Sequence, residues 1–349
     1  MLHRLGVRLP LFQAPMAGVS TPALAAAVCQ AGGLGALGLG AATVTQAQMQ
    51  IAELQAKTEK PFNLNFFVHA PAVQNTALEH AWCKAFEPLF AQFGAQPPTP
   101  LREIYTSLHQ DEAMQRLLLT VRPAVASFHF GVPPQALVRA LKAAGVFLVA
   151  TATCVEEAKL LEKAGMDALI AQGIEAGGHR GIFETTQPDT ALSTMVLTQL
   201  LHKTCQIPII AAGGIMTGYA IAAALKVGAT AAQLGTAFIG CPESAANAAY
   251  RTALTGPGAF KTEMVTALSG RLARSLPNKF TAFAQTLAGQ ACPAYPLAYD
   301  MAKALNTAAQ NQGEHGFAAQ WAGQGAPLAR SLPAASLMAS LKAELEQKI

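Results

Sequence analysis

A histidine flanked by glycines is the residue of this sequence with the clearest chemical potential. The segment 172–181 reads Gln-Gly-Ile-Glu-Ala-Gly-Gly-His-Arg-Gly and overlaps the end of a short apolar run. An imidazole on such a loop does not lie on a core face, and near neutral pH it can accept or donate a proton, or hold an anion. His179 is therefore a candidate catalytic residue, and the alternative is a histidine that only ties down its loop.

Two tyrosines and a lysine form a second candidate group. Tyr295, Tyr299 and Lys303 follow one another at intervals of four residues, which predicts two phenols and an ammonium group along one helix face. Such a face could supply hydrogen-bond donors and a positive charge to an anionic substrate. The alternative is the ordinary solvated face of an amphipathic helix.

Glycines end two of the later apolar runs. The segment 211–215 reads Ala-Ala-Gly-Gly-Ile, and the segment 233–237 reads Gln-Leu-Gly-Thr-Ala. Because they lack a Cβ atom, Gly213, Gly214 and Gly235 allow backbone N–H groups to approach a ligand closely. In a (β/α)₈ barrel the loops after the last two strands form the usual phosphate site. The two motifs together predict a phosphorylated ligand, and tight packing of strand ends is the alternative.

Polar side chains also occur in runs that otherwise have the composition of buried strands. Asn63 and Asn65 lie in one such run, and an asparagine there needs hydrogen-bond partners, which a heterocycle with imide and carbonyl edges can supply. His129 lies between two phenylalanines, so that it either contacts a ligand or is a satisfied packing residue. Met16, in the segment 13–18, either contacts a ligand or packs within the barrel.

The elements that must position these residues follow a regular order. Short apolar runs alternate with amphipathic or Ala-rich helical patterns, and continuous apolar runs are typical of buried parallel strands. The runs are 11–19, 33–40, 62–68, 125–131, 146–152, 168–173, 207–214 and 231–238. Eight β-then-α units predict an α/β protein of the (β/α)₈ TIM-barrel class, in which function lies at the C-terminal ends of the strands. An open doubly wound sheet is the alternative, but no Gly-rich fingerprint follows the first run.

Three segments extend beyond a minimal barrel. Residues 70–124 are too long for one βα unit and predict extra helices in the third connection. Residues 244–321 predict a helical lobe on the substrate side, and 334–349 predict a closing helix. We therefore expect a barrel formed by 1–243 plus 322–349, and a separate lobe formed by 244–321.

Composition excludes several classes of protein. The 349 residues carry a net charge of +4, and only 13% are charged while 52% are apolar, which disfavours disorder, a coiled coil and a nucleic-acid partner. The six cysteines show no CxxC or Cys/His ligand spacing, so that no metal site is predicted and a reducing cytoplasm fits best. Prolines and polar residues interrupt the uncharged stretch between Arg8 and Glu53, and neither a membrane-spanning helix nor a secretion signal is expected.

Five motifs together resemble class I of the nitronate monooxygenase family, formerly called 2-nitropropane dioxygenase. They lie at 13–18, 127–131 (Ser-Phe-His-Phe-Gly), 175–181 (Glu-Ala-Gly-Gly-His-Arg-Gly), 212–215 and 233–236. The resemblance extends from residue 10 to about residue 305. The Gly-Gly-His motif is shared with flavin-dependent enoyl-acyl-carrier-protein reductases and, in variant form, with quinone reductases. The Ser-Phe-His-Phe-Gly segment and the Tyr-x₃-Tyr-x₃-Lys spacing discriminate better.

The resemblance implies a barrel that binds FMN non-covalently, and it implies roles for particular residues. The FMN contacts that it implies are Ala14, Pro15 and Met16 along the isoalloxazine, Asn65 and Gln172 at its polar edge, Gly177 and Gly178 through their backbone, and Gly213, Gly214, Gln233, Gly235 and Thr236 around the phosphate. The substrate-side residues that it implies are the catalytic His179 together with His129, Tyr295, Tyr299 and Lys303. The third run has two asparagines where the family motif has one, so that the choice between Asn63 and Asn65 stays open.

The activity that the resemblance implies is the oxidative denitrification of alkyl nitronates, such as propionate 3-nitronate, by O₂ to a carbonyl compound and nitrite, as in detoxification. The expected partners are then a small nitronate and O₂, with no nucleic acid or membrane. The protein is expected to be a monomer or a homodimer. Three alternatives differ in chemistry. They are an FMN-dependent NAD(P)H reductase of an enoyl thioester or quinone, a flavin-free sugar-phosphate lyase or isomerase, and a flavin-binding protein without catalysis.

Overall fold

A barrel of parallel strands forms the centre of the protein. The computed structural model describes residues 1–347. Within them, the strands of the barrel are β1 Leu11–Gln13, β2 Gly35–Gly38, β3 Phe62–Phe67, β4 Val125–His129, β5 Phe147–Ala152, β6 Ala168–Gln172, β8 Ile209–Ala212 and β9 Ala231–Leu234. Three further short strands are β7 Gly178–His179, β10 Glu263–Val265 and β11 Ala273–Ser275.

The neighbours in the barrel follow the order β1-β9-β8-β6-β5-β4-β3-β2, and every pair is parallel. A single parallel bridge between Phe12 and Leu34 joins β1 to β2 and brings the ends of the sheet together. Each predicted apolar run contains one of these strands, which confirms the TIM-barrel class. The bridge distinguishes the fold from an open doubly wound sheet.

Helices cover the outside of the barrel. In the described part of the chain they are α1 Leu2–Leu5, α2 Pro22–Gln30, α3 Val44–Lys57, α4 Thr76–Ala91, α5 Glu112–Val121, α6 Gln135–Ala143, α7 Val155–Ala164, α8 Thr194–Thr204, α9 Gly218–Lys226, α10 Thr236–Ile239, α11 Ala248–Thr255, α12 Lys279–Thr286, α13 Leu297–Gln310 and α14 Ala334–Glu346. Two 3₁₀ turns lie at Pro257–Lys261 and Ala326–Leu328. No helix in residues 1–347 combines the length and the apolar character needed to cross a membrane.

Local signals set the ends of several helices. The Thr21 side chain accepts a hydrogen bond from the Leu24 amide, and Pro22 occupies the first turn of α2, where its missing N–H costs nothing. At the C-terminal end of another helix, Gly165 ends α7 with φ 97°, a left-handed conformation that favours glycine. These caps fix where each helix turns back towards the next strand.

Both predicted insertions are present, and they pack on each other. The segment 70–124 supplies α4 and α5, and the segment 244–321 supplies α11, α12 and α13. The ring of Phe86 on α4 lies 5.0 Å from that of Phe283 and 6.1 Å from that of Phe280 on α12, measured between centroids. The second segment also contains β10 and β11, which a purely helical prediction missed. The division of the chain into a barrel and a lobe stays a prediction.

The chain returns to the barrel through α14. Leu337 and Met338 of this helix share an apolar cluster with Leu24 of α2 and Ile221 of α9. The predicted closing helix at 334–349 is therefore present, although Lys348 and Ile349 lie outside the described residues.

Candidate active site

A cavity of about 720 Å³ opens at the C-terminal ends of the barrel strands. The structure brings nearly all of the predicted site residues together around it. The predicted residues that line it are Ala14, Pro15, Met16, Asn65, His129, Gln172, Gly177, Gly178, His179, Gly213, Gln233, Gly235, Thr236, Tyr295, Tyr299 and Lys303. Gly214 does not line it but follows Gly213 in the same turn. The volume is typical of a site for a small molecule or a cofactor.

One end of the cavity is formed by the glycine turns after β8 and β9, which are neighbouring strands. Gly213 and Gly214 have φ values of 126° and 69°. A Cβ atom on Gly213 would lie 2.6 Å from Thr194 Oγ1, and that hydroxyl in turn donates to the Gly213 carbonyl oxygen at 3.0 Å. A side chain is therefore excluded at Gly213 both by backbone conformation and by space.

The amides of these turns are available to a ligand. Within residues 1–347, the N–H groups of Gly213, Gly214 and Gly235 donate to no protein acceptor. Thr236 Oγ1 accepts a hydrogen bond from the Gly323 amide at 2.9 Å, and its own proton remains free to donate. Clustered backbone N–H groups of this kind attract an anion such as a phosphate.

Two amide side chains form a polar edge further along the cavity. Asn65 Nδ2 donates to Ser127 Oγ at 3.0 Å, which holds the side chain in place. Gln172 Nε2 donates to the His179 carbonyl oxygen at 2.9 Å, and Gln172 Oε1 accepts from the Gly181 amide at 2.8 Å. Asn63 bonds to the same serine but does not line the cavity, so that of the two asparagines only Asn65 is placed to meet a ligand.

Arg180 holds the glycine-rich segment against the end of β6. Its side chain is buried and pairs with Asp189, with Nε 2.6 Å from Oδ2. Nη1 donates to the carbonyl oxygens of Gln172 and Gly173 at 2.8 and 2.9 Å. Since a buried charge is stable only when it is paired and hydrogen-bonded, this arrangement specifies one path for the chain that leads to His179.

The backbone and the ring of His179 are both anchored. Residues Gly178 and His179 form β7, which pairs antiparallel with β11 so that His179 lies opposite Ala273. The ring atom Nε2 lies 2.8 Å from Ser269 Oγ. The His179 carbonyl oxygen lies 3.2 Å from His129 Nε2, and because a carbonyl can only accept, His129 carries its proton on Nε2. His129 therefore has a satisfied protein contact, although it also lines the cavity.

The Tyr/Tyr/Lys group reaches the cavity, but not in the way that the spacing predicts. Tyr299 and Lys303 lie on α13, whereas Tyr295 precedes it, so that the prediction of one shared helix face was wrong for Tyr295. Pro296 stands between them at the helix start, because proline lacks the N–H that would continue a helix backwards. All three side chains still line the cavity.

Aromatic rings enclose His179. Its ring centroid lies 5.0 Å from that of Trp321, 5.6 Å from that of Tyr295, 5.7 Å from that of Phe130 and 6.1 Å from that of Tyr299. These rings limit the access of water to the imidazole. Interactions between charges are stronger in such a dry site than in bulk water.

Burial and positive charge keep the histidines neutral. Desolvation, followed by the nearby His129 and Arg271, lowers the pKa of His179 to about 3. Desolvation likewise lowers the pKa of His129 to about 4. Burial also lowers the pKa of Lys303 from its ordinary value and raises the pKa of Tyr299 to about 12. At neutral pH the phenol is a hydrogen-bond donor.

The cavity has a cationic character. Lys303 Nζ lies 4.9 Å from the ring centroid of Tyr105, and the Arg271 guanidinium carbon lies 4.4 Å from that of Phe130. Among the described residues, no Asp or Glu lines the cavity. The site can therefore hold an anion between an ammonium group, phenolic donors and backbone amides.

Sequence comparison decides the family. Residues 1–344 match the sequence model described as nitronate monooxygenase. The chain belongs to the nitronate monooxygenase family. It is 53% identical over 349 residues to a protein named nitronate monooxygenase from Paraburkholderia phytofirmans, covering 100% of this chain and 95% of that one. It is 52% identical to a protein of the same name from Pseudomonas aeruginosa, covering 98% and 97% of the two chains.

A solved structure agrees with this family assignment. The fold matches nitroalkane oxidase from Streptomyces ansochromogenes with a TM-score of 0.91 and 39% identity, over 99% of this chain and 98% of that one. In this fold the glycine turns after β8 and β9 and the Gly-Gly-His segment lie around the cavity at the mouth of the barrel.

Several residues in or next to the site were not predicted from the sequence. Tyr105 and Trp321 line the cavity, and Ser269 and Arg271 lie directly behind it. They come from loops with no apolar run or glycine motif to mark them. Phe130 was visible in the Ser-Phe-His-Phe-Gly segment, but its φ of 82°, which few side chains adopt, could not be inferred from spacing.

We predict that Arg180→Met lowers the free energy of unfolding by about 3–5 kcal/mol, because it leaves the Asp189 carboxylate buried without its cation. Urea unfolding measures this change. The matched control is Lys342→Ala, which removes an exposed ion pair with Glu346 and should change stability by less than about 1 kcal/mol. Equal effects of the two substitutions would contradict the anchoring role of Arg180.

Proposed function

We propose that this protein is an FMN-dependent nitronate monooxygenase that oxidises alkyl nitronates with O₂ to a carbonyl compound and nitrite. The observation that carries the proposal is the cavity itself, where Lys303, Tyr299 and His179 converge and no acidic side chain of residues 1–347 takes part. A nitronate is a delocalised carbanion with charge on its nitro oxygens, and such charge is best stabilised by fixed donors and cations in a dry site.

The residues around the cavity fit FMN. The phosphate would bind the free amides of Gly213, Gly214 and Gly235, with the Thr236 hydroxyl as a further donor and Gln233 nearby. A Cβ atom on Gly235 would lie 3.3 Å from Ala14 Cβ and 3.6 Å from Met16 Sδ, so that glycine keeps this part of the cavity open.

The ring of the flavin would lie between an apolar side and a polar edge. Ala14, Pro15 and Met16 offer the apolar side, Asn65 and Gln172 offer amide groups to the imide edge, and Gly177 and Gly178 allow close backbone approach. When bound, the flavin would supply the electron transfer between the nitronate and O₂.

The protein's own side chains bind, orient and shield the substrate. Lys303 and the phenols of Tyr295 and Tyr299 balance the negative charge, while Trp321 and Phe130 exclude water around His179. With a neutral nitroalkane as ligand, His179 would accept the proton from the carbon next to the nitro group, and the C–H electron pair would delocalise onto the nitro oxygens. A short nitronate that also carries a carboxylate, such as propionate 3-nitronate, would pair that group with Lys303.

The test is an aerobic assay of the purified holoprotein with propionate 3-nitronate, following O₂ uptake and nitrite, beside an anaerobic mixture with NADH or NADPH. We expect oxygen uptake with nitrite release, and a flavin spectrum that NAD(P)H leaves unchanged. Rapid bleaching by NAD(P)H without nitrite formation would instead indicate a reductase. A colourless protein that gains no flavin absorbance after addition of FMN would contradict the cofactor.

Replacement of the lysine tests anion binding. Lys303→Met should raise the KM for propionate 3-nitronate about 10- to 100-fold, since the charge-assisted hydrogen bond between the ammonium group and the substrate carboxylate is lost. Initial-rate kinetics across substrate concentrations measure this change. Lys84→Met, on the exposed side of α4, is the control and should leave KM unchanged. An unaltered KM in Lys303→Met would remove this residue from substrate binding.

Replacement of the histidine tests its role and its charge. His179→Asn should retain FMN while lowering turnover of a neutral nitroalkane, which needs a base, by about 100-fold or more. Because the pKa of His179 lies near 3, the wild-type rate should show no histidine ionisation between about pH 5 and 8. The exposed His80→Asn is the control. A wild-type rate in His179→Asn would refute the catalytic role of this residue. A limb of the pH profile near pH 6.5 that this variant abolishes would refute its lowered pKa.

A further inference from the structure

Ser269 contacts the imidazole of His179 from outside the cavity and has no role in the function described so far. It lies in the connection between β10 and β11, and its side chain is fully buried. Since β11 pairs with β7 and places Ala273 opposite His179, the register of these two strands brings the connection against the ring. The hydroxyl oxygen then lies 2.8 Å from His179 Nε2.

The hydrogen bonds of this hydroxyl determine the position of the histidine proton. Ser269 Oγ has two further contacts, with the Arg271 carbonyl oxygen at 3.2 Å and the Arg271 amide nitrogen at 3.3 Å. A carbonyl can only accept and an amide N–H can only donate, while a hydroxyl has one proton and two acceptor sites. All three contacts are satisfied together only when the serine donates to the carbonyl and accepts from both the amide and Nε2–H of His179.

The opposite assignment leaves an unsatisfied group. If Ser269 donated to His179, the Arg271 carbonyl oxygen would lose its proton donor, and no other donor in residues 1–347 reaches it. A buried polar atom without a partner costs about 1–3 kcal/mol. The backbone of the loop therefore favours His179 as the Nε2–H tautomer.

The consequence appears at the other ring nitrogen. His179 Nδ1 has no hydrogen-bond partner among the described residues, and it is absent from their set of fully buried polar atoms without partners. Because the ring lines the cavity, Nδ1 offers its lone pair to whatever is bound there. With Nε2 protonated, this nitrogen acts as an acceptor and not as a donor.

The surroundings of the His179 ring keep it neutral, so that the position of its single proton, and not its charge, can differ. The charged or titratable groups that face His179 are His129 from β4, Arg271 from the same connection as Ser269, Tyr295 from the segment before α13 and Tyr299 from α13 itself, with His69 behind them. Burial and the positive charge of Arg271 keep His179 neutral well below neutral pH. A neutral imidazole has two possible positions for one proton, and Ser269 distinguishes between them.

We propose that Ser269 is a positioning residue that fixes His179 in the Nε2–H tautomer and thereby presents an unprotonated Nδ1 to the substrate. The catalytic consequence rests on the proposed function. The tautomer itself does not, because it is a property of the hydrogen bonds among Ser269, Arg271 and His179.

The experiment is long-range ¹H–¹⁵N NMR of the full-length holoprotein labelled with ¹⁵N-histidine, with His179→Asn used to assign the His179 signals. We expect the neutral Nε2–H pattern in the wild type and in Ser269→Thr, which keeps the hydroxyl. In Ser269→Ala the pattern should change to a mixture of tautomers or to Nδ1–H. Ser275→Ala, which removes another fully buried hydroxyl nearby, is the matched control and should keep the wild-type pattern.

Kinetics on the same variants connects the tautomer to turnover. We expect Ser269→Ala to lower kcat/KM for a neutral nitroalkane, whose carbon proton Nδ1 would accept, at least about tenfold with unchanged FMN content, and Ser269→Thr to recover most of the loss. A wild-type His179 in the Nδ1–H form, or an unchanged pattern and rate in Ser269→Ala, overturns the proposal. Failure of the proposed function looks different, since no variant would then release nitrite while the change of tautomer in Ser269→Ala would persist.

Discussion

The buried ion pair between Arg180 and Asp189 is the constraint on which the site depends. Its guanidinium bonds to the carbonyl oxygens at the end of β6, so that the chain leaving the barrel is fixed before it reaches the two glycines and His179. A glycine-rich segment has high backbone entropy, and without such an anchor it would sample many paths. The ion pair restricts this segment to one conformation. A ligand in the cavity can then approach the glycine backbone closely while His179 stays in a fixed position.

The second organising feature is electrostatic. The cavity combines an ammonium group, phenolic donors and free amides with neutral imidazoles, and aromatic rings surround the imidazole of His179. In such surroundings a bound anion is attracted by fixed groups that need no reorganisation. Neutral histidines can act there through the direction of their protons, which depends on partners such as Ser269 and the His179 carbonyl oxygen.

The barrel could be predicted from the sequence because each strand lies in a mainly apolar run, and helix-start or glycine signals mark the boundaries of several of these runs. The glycine turns after β8 and β9 were predictable for the same local reason, and they do lie side by side. The short strands β7, β10 and β11 have two or three residues each and carry no such periodicity. Tyr105 and Trp321, which line the cavity, and Ser269, which contacts His179 from behind it, depend on tertiary packing that no local pattern encodes. The position of Tyr295 shows a further limit of sequence-based prediction. Its spacing of four residues from Tyr299 suggests one helix, but the helix begins between the two residues.

The single bridge between Phe12 and Leu34 leaves the seam between β1 and β2 as the most weakly paired join of the barrel. On the outer surface, α14 packs against α2, which connects these two strands, and residues about 300 positions apart in the chain meet there. Contacts of such long range form late, because the entropy of closing a large loop must be overcome first. The join between β1 and β2 is therefore completed only after α14 has been synthesised and has packed against α2. Until then these strands are incompletely paired, and the nascent chain is exposed to aggregation.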